Sequence, residues 1–580
     1  MTTVQSRKVK GVIPYLPEEI DAFEAEAKRF KAGQLPELEF VGFRLKQGVY
    51  GQRQLDAQMI RVKVPFGGLT ADQLDALGYI ADRFAPLRKG HVTTRENFQL
   101  HHLRLEDTPE ALRILGDVGL TTREACGNTV RNVVACPHAG VSPDEAFDPT
   151  PYVGAYARYF VRHPVTQLMP RKLKTAFSCG DTDCAMTAIH DMGLIARVKD
   201  GRKGFKIVVG GGTSIMPRLA PTLYEFVPVE DFLRIVEACL RVFNKADELR
   251  KNRMRARIKF LVDRVGIDAF RKMVEEELKQ PWAKKNIDPT PLLYLDDETA
   301  DAPKPSTNGH RSNGRATPEF IRWASTNVSP QKQAGYRMVF VTIPQGDLNP
   351  SQFSGLATIS RDYAGGRCRI TQQQGLVFRW VREEHVQDVY EALQALTDVV
   401  TCPGTDSCKL GITSSMGVGA AIRETLMNMH IDDPEIRKMH VKASGCPNGC
   451  GQHHIAQIGL HGAAMKGPTG QQVPAYEVFI GGNADGVRGP IRFGSRVTGR
   501  LPSKRAPEFI TKAIEYYTAN RSGGESFNAF VDRVGVKTFE PILDQFKEIG
   551  PLNRENIHLY MDWSKTIPYR VERGEGECAM

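Results

Sequence analysis

The chain has 580 residues and 64.5 kDa, too long for one ordinary domain; at roughly 150 residues per domain it suggests about four units. Hydrophobic residues at 41%, charged at 25% and aromatic at 8% describe a soluble globular chain and exclude a disordered chain, a collagen and a coiled coil. A net charge of +10 and a pI of about 9.0 favour anionic partners: nucleic acid, an acidic protein, an anionic cofactor or a small oxyanion. No apolar run approaches the roughly 18 residues of a membrane span. The opening MTTVQSRKVKG lacks the apolar core of a signal peptide, so a cytoplasmic location is expected. Eleven cysteines in such a chain are expected to be metal or redox ligands before they are disulfides.

From the N-terminus, RVKVPFGGLT (61–70), an amphipathic stretch from Asp72 to Phe84, and HVTTRENFQLH (91–101) predict strand, turn, helix and strand. The same order returns in MVFVTIPQGDL (338–348) and CRITQQQGLVF (368–378). IVVGGG (207–212) is matched by VFIGGN (478–483), and FLVDRVGIDAF (260–270) by FVDRVGVKTF (530–539). The three pairs keep their order at offsets of about 270–280 residues, the signature of a tandem duplication. Between the copies, DDETADAPKPSTNGHRSNGRATP (296–318) is rich in Pro, Ser, Asn, Asp and Gly and reads as a linker. Two homologous halves are expected to pack about a pseudo-twofold axis, with ligand sites favoured between them.

The copies have diverged. TREN (94–97) faces TQQQ (371–374), so the second copy has lost the cation. The second copy carries Cys402 and Cys408 as C-x5-C, then Cys446 and Cys450 as C-x3-C, a set the first lacks. Four thiolates suit zinc or an iron–sulfur cluster. A C-x5-C pair is wide for one metal atom but reasonable around a cube of several irons. Adjacent glycines and prolines let backbone amides approach the sulfurs.

This C-x5-C and GCPNGC pattern resembles the sirohaem–iron–sulfur signature of the assimilatory nitrite/sulfite reductase family. The resemblance extends over MIRVKVP, TTRENFQLH, Arg131-Asn132-Val133, the PRKLK segment (170–174), both Gly-Gly segments and the duplication itself. It implies an α+β, three-domain duplicated fold with pseudo-twofold symmetry. Residues 1–145 with 335–398 would form a central ferredoxin-like (parachute) domain. Residues 146–294 would form a first sirohaem/substrate α/β domain, 295–334 the linker, and 399–580 the [4Fe–4S]/sirohaem α/β domain. Cys402, Cys408, Cys446 and Cys450 are implied as ligands of a [4Fe–4S] cluster, with Cys450 also the axial ligand of the sirohaem iron.

Sirohaem carries eight carboxylates, and burying them or a small oxyanion calls for cations and donors. By the resemblance, Arg61 and Arg131 face the iron-bound anion, with Lys172 and Lys174 as paired lysines. The i, i+2 spacing of these lysines puts both on one face of an extended segment. Arg95, Asn97 and Gln99 resemble the strand that holds the sirohaem carboxylates. Lys63, on the same face as Arg61, and Arg171 are further candidates. The activity implied is the six-electron reduction of sulfite to sulfide, or of nitrite to ammonia. Nitrite-type members tend to have a neutral residue where Lys174 stands, so the second lysine favours sulfite, the more negative anion. A reduced ferredoxin is the expected donor, an NADPH flavoprotein subunit the alternative. Neither nucleic acid nor a membrane is expected as partner.

In some sulfite-reducing relatives a tyrosine and a cysteine near the positions of Tyr50 and Cys126 are covalently joined. Cys136 in VVACP corresponds to Cys402 in VVTCP but has no partner at C-x5-C spacing, and reads as a relic. Cys179 and Cys184 suggest another metal, but two more ligands are not evident. GGG (210–212) lacks the G-x-G-x-x-G spacing of a dinucleotide loop. Two rival readings are a nucleic-acid-binding protein with a structural cluster and an electron relay without sirohaem. Against the former, the cations cluster in the first copy's motifs, without a helix-turn-helix, an RRM or an arginine-rich tail.

Overall fold

Alternating apolar positions in the paired motifs build two central five-stranded sheets. A computed structural model describes residues 11–285, 287–305, 317–393, 400–429, 431, 433–486, 489–572 and 574. In the first sheet Val49–Gly51, Ala57–Val62, Asn97–Arg104 and Gly90–Thr93 lie side by side, and the edge strand Asp347–Leu348 comes from the other copy. The second sheet repeats this order with Val328–Pro330, Tyr336–Val341, Leu376–Arg382 and Arg367–Ile370, closed by Gly68–Thr70 of the first copy. Each half lends the other an edge strand, so neither central sheet is complete alone.

The duplication extends to backbone detail. Phe66 and Gln345 both adopt positive φ, 48° and 58°, in the turn before the lent strand. Glu96 and Gln374 do so at the hairpin tips, at 51° and 62°, and His102 and Trp380 further along, at 64° and 62°. Thr70 with Gln73, and Asn349 with Gln352, form matching capping boxes on helices Ala71–Arg83 and Pro350–Tyr363. These helices cross closely, because a Cβ on Gly78 would stand 2.8 Å from the Cβ of Phe353.

Each half also carries a flanking mixed sheet. In the first, Val134–Ala135, Thr175–Ser178 and Met192–Lys199 run parallel, followed by antiparallel Arg202–Val209 and Thr222–Pro228. In the second, Val400–Thr401, Val441–Ser444 and Ile458–Lys466 run parallel, followed by antiparallel Gln472–Ile480 and Ser495–Arg496. The repeated FLVDRVG and FVDRVG segments are helices Ile258–Val265 and Phe527–Val534, each stopped by a glycine at φ 80°. Separate apolar cores fill the central sheets and each flanking lobe.

Two expectations need correction. The segment expected as linker, 295–334, is ordered where it is described. Thr317 caps the helix Pro318–Asn327, whose Trp323 is buried, and Val328–Pro330 pairs into the central sheet. At its start, Asp296 and Asp301 each lie 2.6 Å from Arg367, and Glu298 pairs with Arg369 at 3.0 Å and with Arg379. The acidic residues that looked like linker composition answer arginines of the second central sheet, Asp296 and Asp301 the half-buried Arg367 and Glu298 the buried Arg369 and Arg379. Residues 306–316 lie outside the described residues. The second correction concerns the hairpins. Their left-handed residues, Glu96 and Gln374, are equivalent, so Arg95 corresponds to Gln373, one position on from the alignment the sequence suggested.

Candidate active site between the two halves

The carboxyl ends of parallel strands are where such sheets present ligand sites. Cys402 directly follows Val400–Thr401, and Cys446 lies two residues beyond Val441–Ser444. Their loops pack backbone on backbone. The Gly445 amide donates to the Cys402 sulfur at 3.2 Å, and the amides of Ile412 and Thr413 both donate to the Gly445 carbonyl. A Cβ on Gly445 would stand 2.5 Å from the Gly404 Cα and 2.7 Å from the Thr413 carbonyl oxygen, so only glycine fits. The Arg53 guanidinium donates to the carbonyls of Cys408 at 3.2 Å and Gly411 at 3.3 Å, tying the cluster loop to the first half. Cys402 and Cys446 are buried, Cys408 is half-buried and Cys450 is exposed. Burial, and then the neighbouring Cys450, push the Cys402 and Cys446 thiols up. A metal centre that binds thiolates would offset that penalty.

All four cysteines line one cavity of about 300 Å³ with Arg61, Arg95, Asn97, Gln99, Arg131, Lys172 and Lys174. Arg171 joins them. Arg253, Arg257, Lys259 and Lys409, which the sequence did not single out, complete ten lysines and arginines, and among the described residues no Asp or Glu lines the wall.

These cations are held by neutral acceptors or from behind. Arg131 donates to the carbonyls of Gly127 and Ala125 at 2.9 and 2.8 Å, and to the Tyr50 hydroxyl at 3.1 Å. With the Gln99 amide oxygen turned toward it, Arg61 donates to that oxygen at 2.6 and 3.0 Å. Gln99 thus positions Arg61. The Arg61 guanidinium also covers the Tyr50 ring at 5.1 Å. The Arg95 guanidinium donates to the Asn132 carbonyl at 2.5 Å, and its Nε and Nη1 are buried without a partner among the described residues. Asn97 is fixed by the Thr93 hydroxyl at 2.6 Å, and Thr94 donates to the Cys450 carbonyl at 2.8 Å. The first half's hairpin tip therefore touches the second half's cluster loop.

Buried Asp191 organises the lysine side. It accepts from the Lys174 backbone amide at 2.8 Å and from the Arg257 Nε at 2.7 Å, leaving the Arg257 Nη2 buried without a partner among the described residues. Leu173, between the paired lysines, points into the core. Burial, then Arg257, Arg95 and Lys172, holds the Lys174 ammonium well below the usual lysine range. Burial, reinforced by Arg257, brings Lys259 down to about 8, where three carbonyls, of Thr213, Ile215 and Met216, receive it at 2.9–3.0 Å. The sequence signal for these additions was the basic run RKNRMRARIK (250–259).

Lys63 is not in the site. The strand ends at Val62, and Lys63 bridges to Thr121 instead, which breaks the alternation that would have kept it on the Arg61 face. Its ammonium is buried against the Val130 carbonyl at 3.2 Å, beside a separate cavity of about 460 Å³ that none of the cluster cysteines lines. Tyr50 and Cys126 share a small buried cluster with Val41, Leu45 and Met59, and the Arg61 Nη1 lies 4.0 Å from the Cys126 sulfur.

The profile described as the nitrite and sulphite reductase 4Fe-4S domain matches residues 126–282 and 392–547, and the nitrite/sulfite reductase ferredoxin-like half domain matches 50–118 and 329–396. The chain belongs to the nitrite and sulfite reductase family. It is 30% identical to a ferredoxin–nitrite reductase of Synechococcus elongatus, over 73% of this chain and 80% of that one. It is 29% identical to a ferredoxin sulfite reductase of Mycolicibacterium paratuberculosis, over 82% of each. The structure of the Mycobacterium tuberculosis NirA protein superposes with a TM-score of 0.73 at 26% identity, covering 90% of this chain and 95% of that one.

Membership makes this chain an oxidoreductase whose cofactors are a [4Fe–4S] cluster and sirohaem. The residues present fit both groups. The four cysteines line the same cavity, with a backbone amide already aimed at the Cys402 sulfur. A cavity with ten cations, and among the described residues with no facing carboxylate and with guanidinium nitrogens of Arg95 and Arg257 lacking a partner, suits a polycarboxylate. Among the described residues no helix is long and apolar enough to cross a membrane.

One further expectation is corrected. The cysteines were expected as metal or redox ligands before disulfides, but Cys136, which has no partner at C-x5-C spacing, forms a disulfide with Cys184, and Cys179 lies 3.4 Å away. The partners are near only in space, since Cys136 and Cys179 follow adjacent parallel strands.

Proposed function

We propose that this chain reduces sulfite to sulfide, taking electrons from a reduced ferredoxin. The observation that carries the reading is the cavity itself: among the described residues its lining holds ten cations, four cysteines and no carboxylate, with Lys172 and Lys174 both on its wall. When bound, the cluster and sirohaem supply electrons and the iron that takes the anion. The chain's own residues do the rest. Arg61 and Arg131, each fixed by neutral acceptors, hold charge on the anion's oxygens and orient it. Lys172 and Lys174 donate protons to oxygens that leave as water. Lys174 suits this role because burial makes its proton easier to give than an ordinary lysine's. Arg95, with Arg257 and Lys259, neutralises cofactor carboxylates. Asp191 and Gln99 position Arg257 and Arg61 without facing the anion.

Sulfite is favoured over nitrite because the second lysine adds a cation where the more negative anion gains more from it. The ferredoxin reading is supported by relatives of both substrate types, named as ferredoxin-dependent, and by the +10 charge, which would steer an acidic partner.

The test is kinetic and spectroscopic. Purified holoenzyme should show a chlorin-like band in the red and a higher kcat/KM for sulfite than for nitrite. Its kcat/KM for ferredoxin should fall steeply with added salt. A higher kcat/KM for nitrite would reassign the substrate, and a colourless holoprotein would sink the whole reading.

A further inference from the structure

The first half holds a second cluster of metal-ligating side chains, which the reaction does not use. The Cys179 sulfur lies 3.4 Å from that of Cys136 and 3.8 Å from that of Cys184. A ring nitrogen of His138 stands within 4.8 Å of the Cys136 and Cys184 sulfurs, while the Cys179 sulfur falls outside that trio, so His138 and Cys179 approach the disulfide from different sides. Cys136, Cys179 and Ala139 form one small buried cluster, with Cys184 packed against it.

The place in the fold is informative. Cys136 follows Val134–Ala135 just as Cys402 follows Val400–Thr401, and Cys179 follows Thr175–Ser178 as Cys446 follows Val441–Ser444. Cys136 and Cys184 stand at one common offset from Cys402 and Cys450, and Cys179 is a single position from that of Cys446. The first half thus keeps three sulfurs where the second half has its cluster ligands. At the offset of Cys408 it has Ser142, and His138 supplies a fourth donor from the turn after Cys136.

Distance separates an ion from a cluster. A tetrahedral ion bound at about 2.3 Å sets its sulfur ligands about 3.8 Å apart. The Cys179–Cys184 distance of 3.8 Å matches that spacing, and the Cys179–Cys136 distance of 3.4 Å is shorter. Among the described residues, no other three His, Cys, Asp or Glu ligand atoms gather within 4.8 Å of one another, so the cluster cysteines of the second half are spread more widely. The loop also carries an interface. Gln372 of the second half donates to the Ala185 carbonyl at 2.7 Å, and Gly486 passes so near Thr182 that a Cβ would overlap its carbonyl.

We propose that Cys136, Cys179, Cys184 and His138, once the Cys136–Cys184 disulfide is reduced, bind one zinc-class divalent cation. It is a structural site of Cys3His type that fastens the 179–186 loop against the second half. The steps balance. A phosphine reductant and one water convert the disulfide to two thiols and phosphine oxide. The cation then displaces three thiol protons and accepts the neutral imidazole.

The test uses the full-length holoenzyme, reduced anaerobically with a water-soluble phosphine, supplied with zinc sulfate and dialysed. Elemental analysis should find one zinc per chain in addition to cofactor iron. X-ray absorption at the zinc edge should show three sulfurs at about 2.3 Å and one lighter ligand. Cys179→Ser/Cys184→Ser should lose the zinc with iron content and the red absorption band unchanged. His138→Ala, which keeps all three thiols should the double variant fail to fold, should weaken zinc at least about tenfold against a chromophoric chelator. No zinc in the reduced wild type, zinc retained by the double variant, an unchanged affinity in His138→Ala, or four sulfur ligands at the zinc edge would each overturn the proposal. The last would place the ion in the cysteine set of the second half. None of these readouts depends on which anion the enzyme reduces.

Discussion

Replacing Lys174 by Asn should separate the two anions. The ammonium stands on the cavity wall with Arg257, Arg95 and Lys172 as its charged neighbours, and burial already weakens its hold on its proton. A bound oxyanion is the group that would stabilise its charge. At an effective dielectric of about 20, a pair of unit charges about 4 Å apart is worth about 4 kcal/mol. Near neutral pH sulfite is a mixture of mono- and dianion, roughly half a charge more negative than nitrite, so the lost cation should weaken sulfite by about 2 kcal/mol more than nitrite. That is roughly a 30-fold fall in the sulfite-to-nitrite ratio of kcat/KM. The assay uses a reduced viologen dye as donor for both anions, with iron content and the red absorption band confirming equal cofactor load. A ratio that moves by less than about threefold with both cofactors in place would refute the charge argument. Lys174→Arg supplies the pH arm. Because the Lys174 pKa is depressed, its charge fades at a lower pH than an ordinary lysine's, and wild-type sulfite affinity should fall as pH rises through that range. The arginine variant keeps its charge and should lose that fall.

Gly445→Ala should separate the cluster loops, since the new methyl would meet the Gly404 Cα at 2.5 Å and the Thr413 carbonyl oxygen at 2.7 Å. We expect iron well below the wild-type content and a stability loss of about 1–3 kcal/mol, read by iron analysis and urea titration; full iron content would refute the packing argument. Lys63→Met tests a buried lysine away from the site. Burial brings Lys63 to about 8, below its unfolded value, so the unfolded chain binds more protons above that pH and wild-type stability gains with rising pH. The stability of wild type relative to Lys63→Met should therefore climb by up to about 3 kcal/mol between pH 8 and 10, and a flat difference would count against it. If Tyr50 and Cys126 are joined as in some sulfite-reducing relatives, intact mass should be lighter by two hydrogen atoms and peptide mapping should recover one cross-linked peptide; separate peptides would end the idea.

That the four cysteines and most of the cations would gather at one cavity was readable because motif residues sit at fixed backbone positions: after strand ends, or at alternate places on one extended segment. What the sequence could not show was tertiary. Arg257 and Lys259 enter the cavity because Asp191 and three loop carbonyls hold them there, from elements far apart in the chain. Cys136, Cys179 and Cys184 meet only when adjacent parallel strands bring their ends together. Composition misled at Asp296, Glu298 and Asp301, where acidic residues answer arginines of the second central sheet instead of solvating a tether. The lost cation of the second copy also has a structural cause that alignment alone could not supply. At the first hairpin tip, Thr94 and Arg95 face the cavity, and Arg95 finds only the neutral Asn132 carbonyl. At the equivalent place in the second copy, Gln373 accepts from the buried Lys442 ammonium at 3.3 Å, and Gln452 accepts from it at 2.9 Å. An arginine at position 373 would set a guanidinium against that ammonium in place of the Gln373 acceptor. Lys442 and Arg95 thus solve the same charge problem from opposite sides: each half can keep a cation at one of the two places, and the halves have chosen differently.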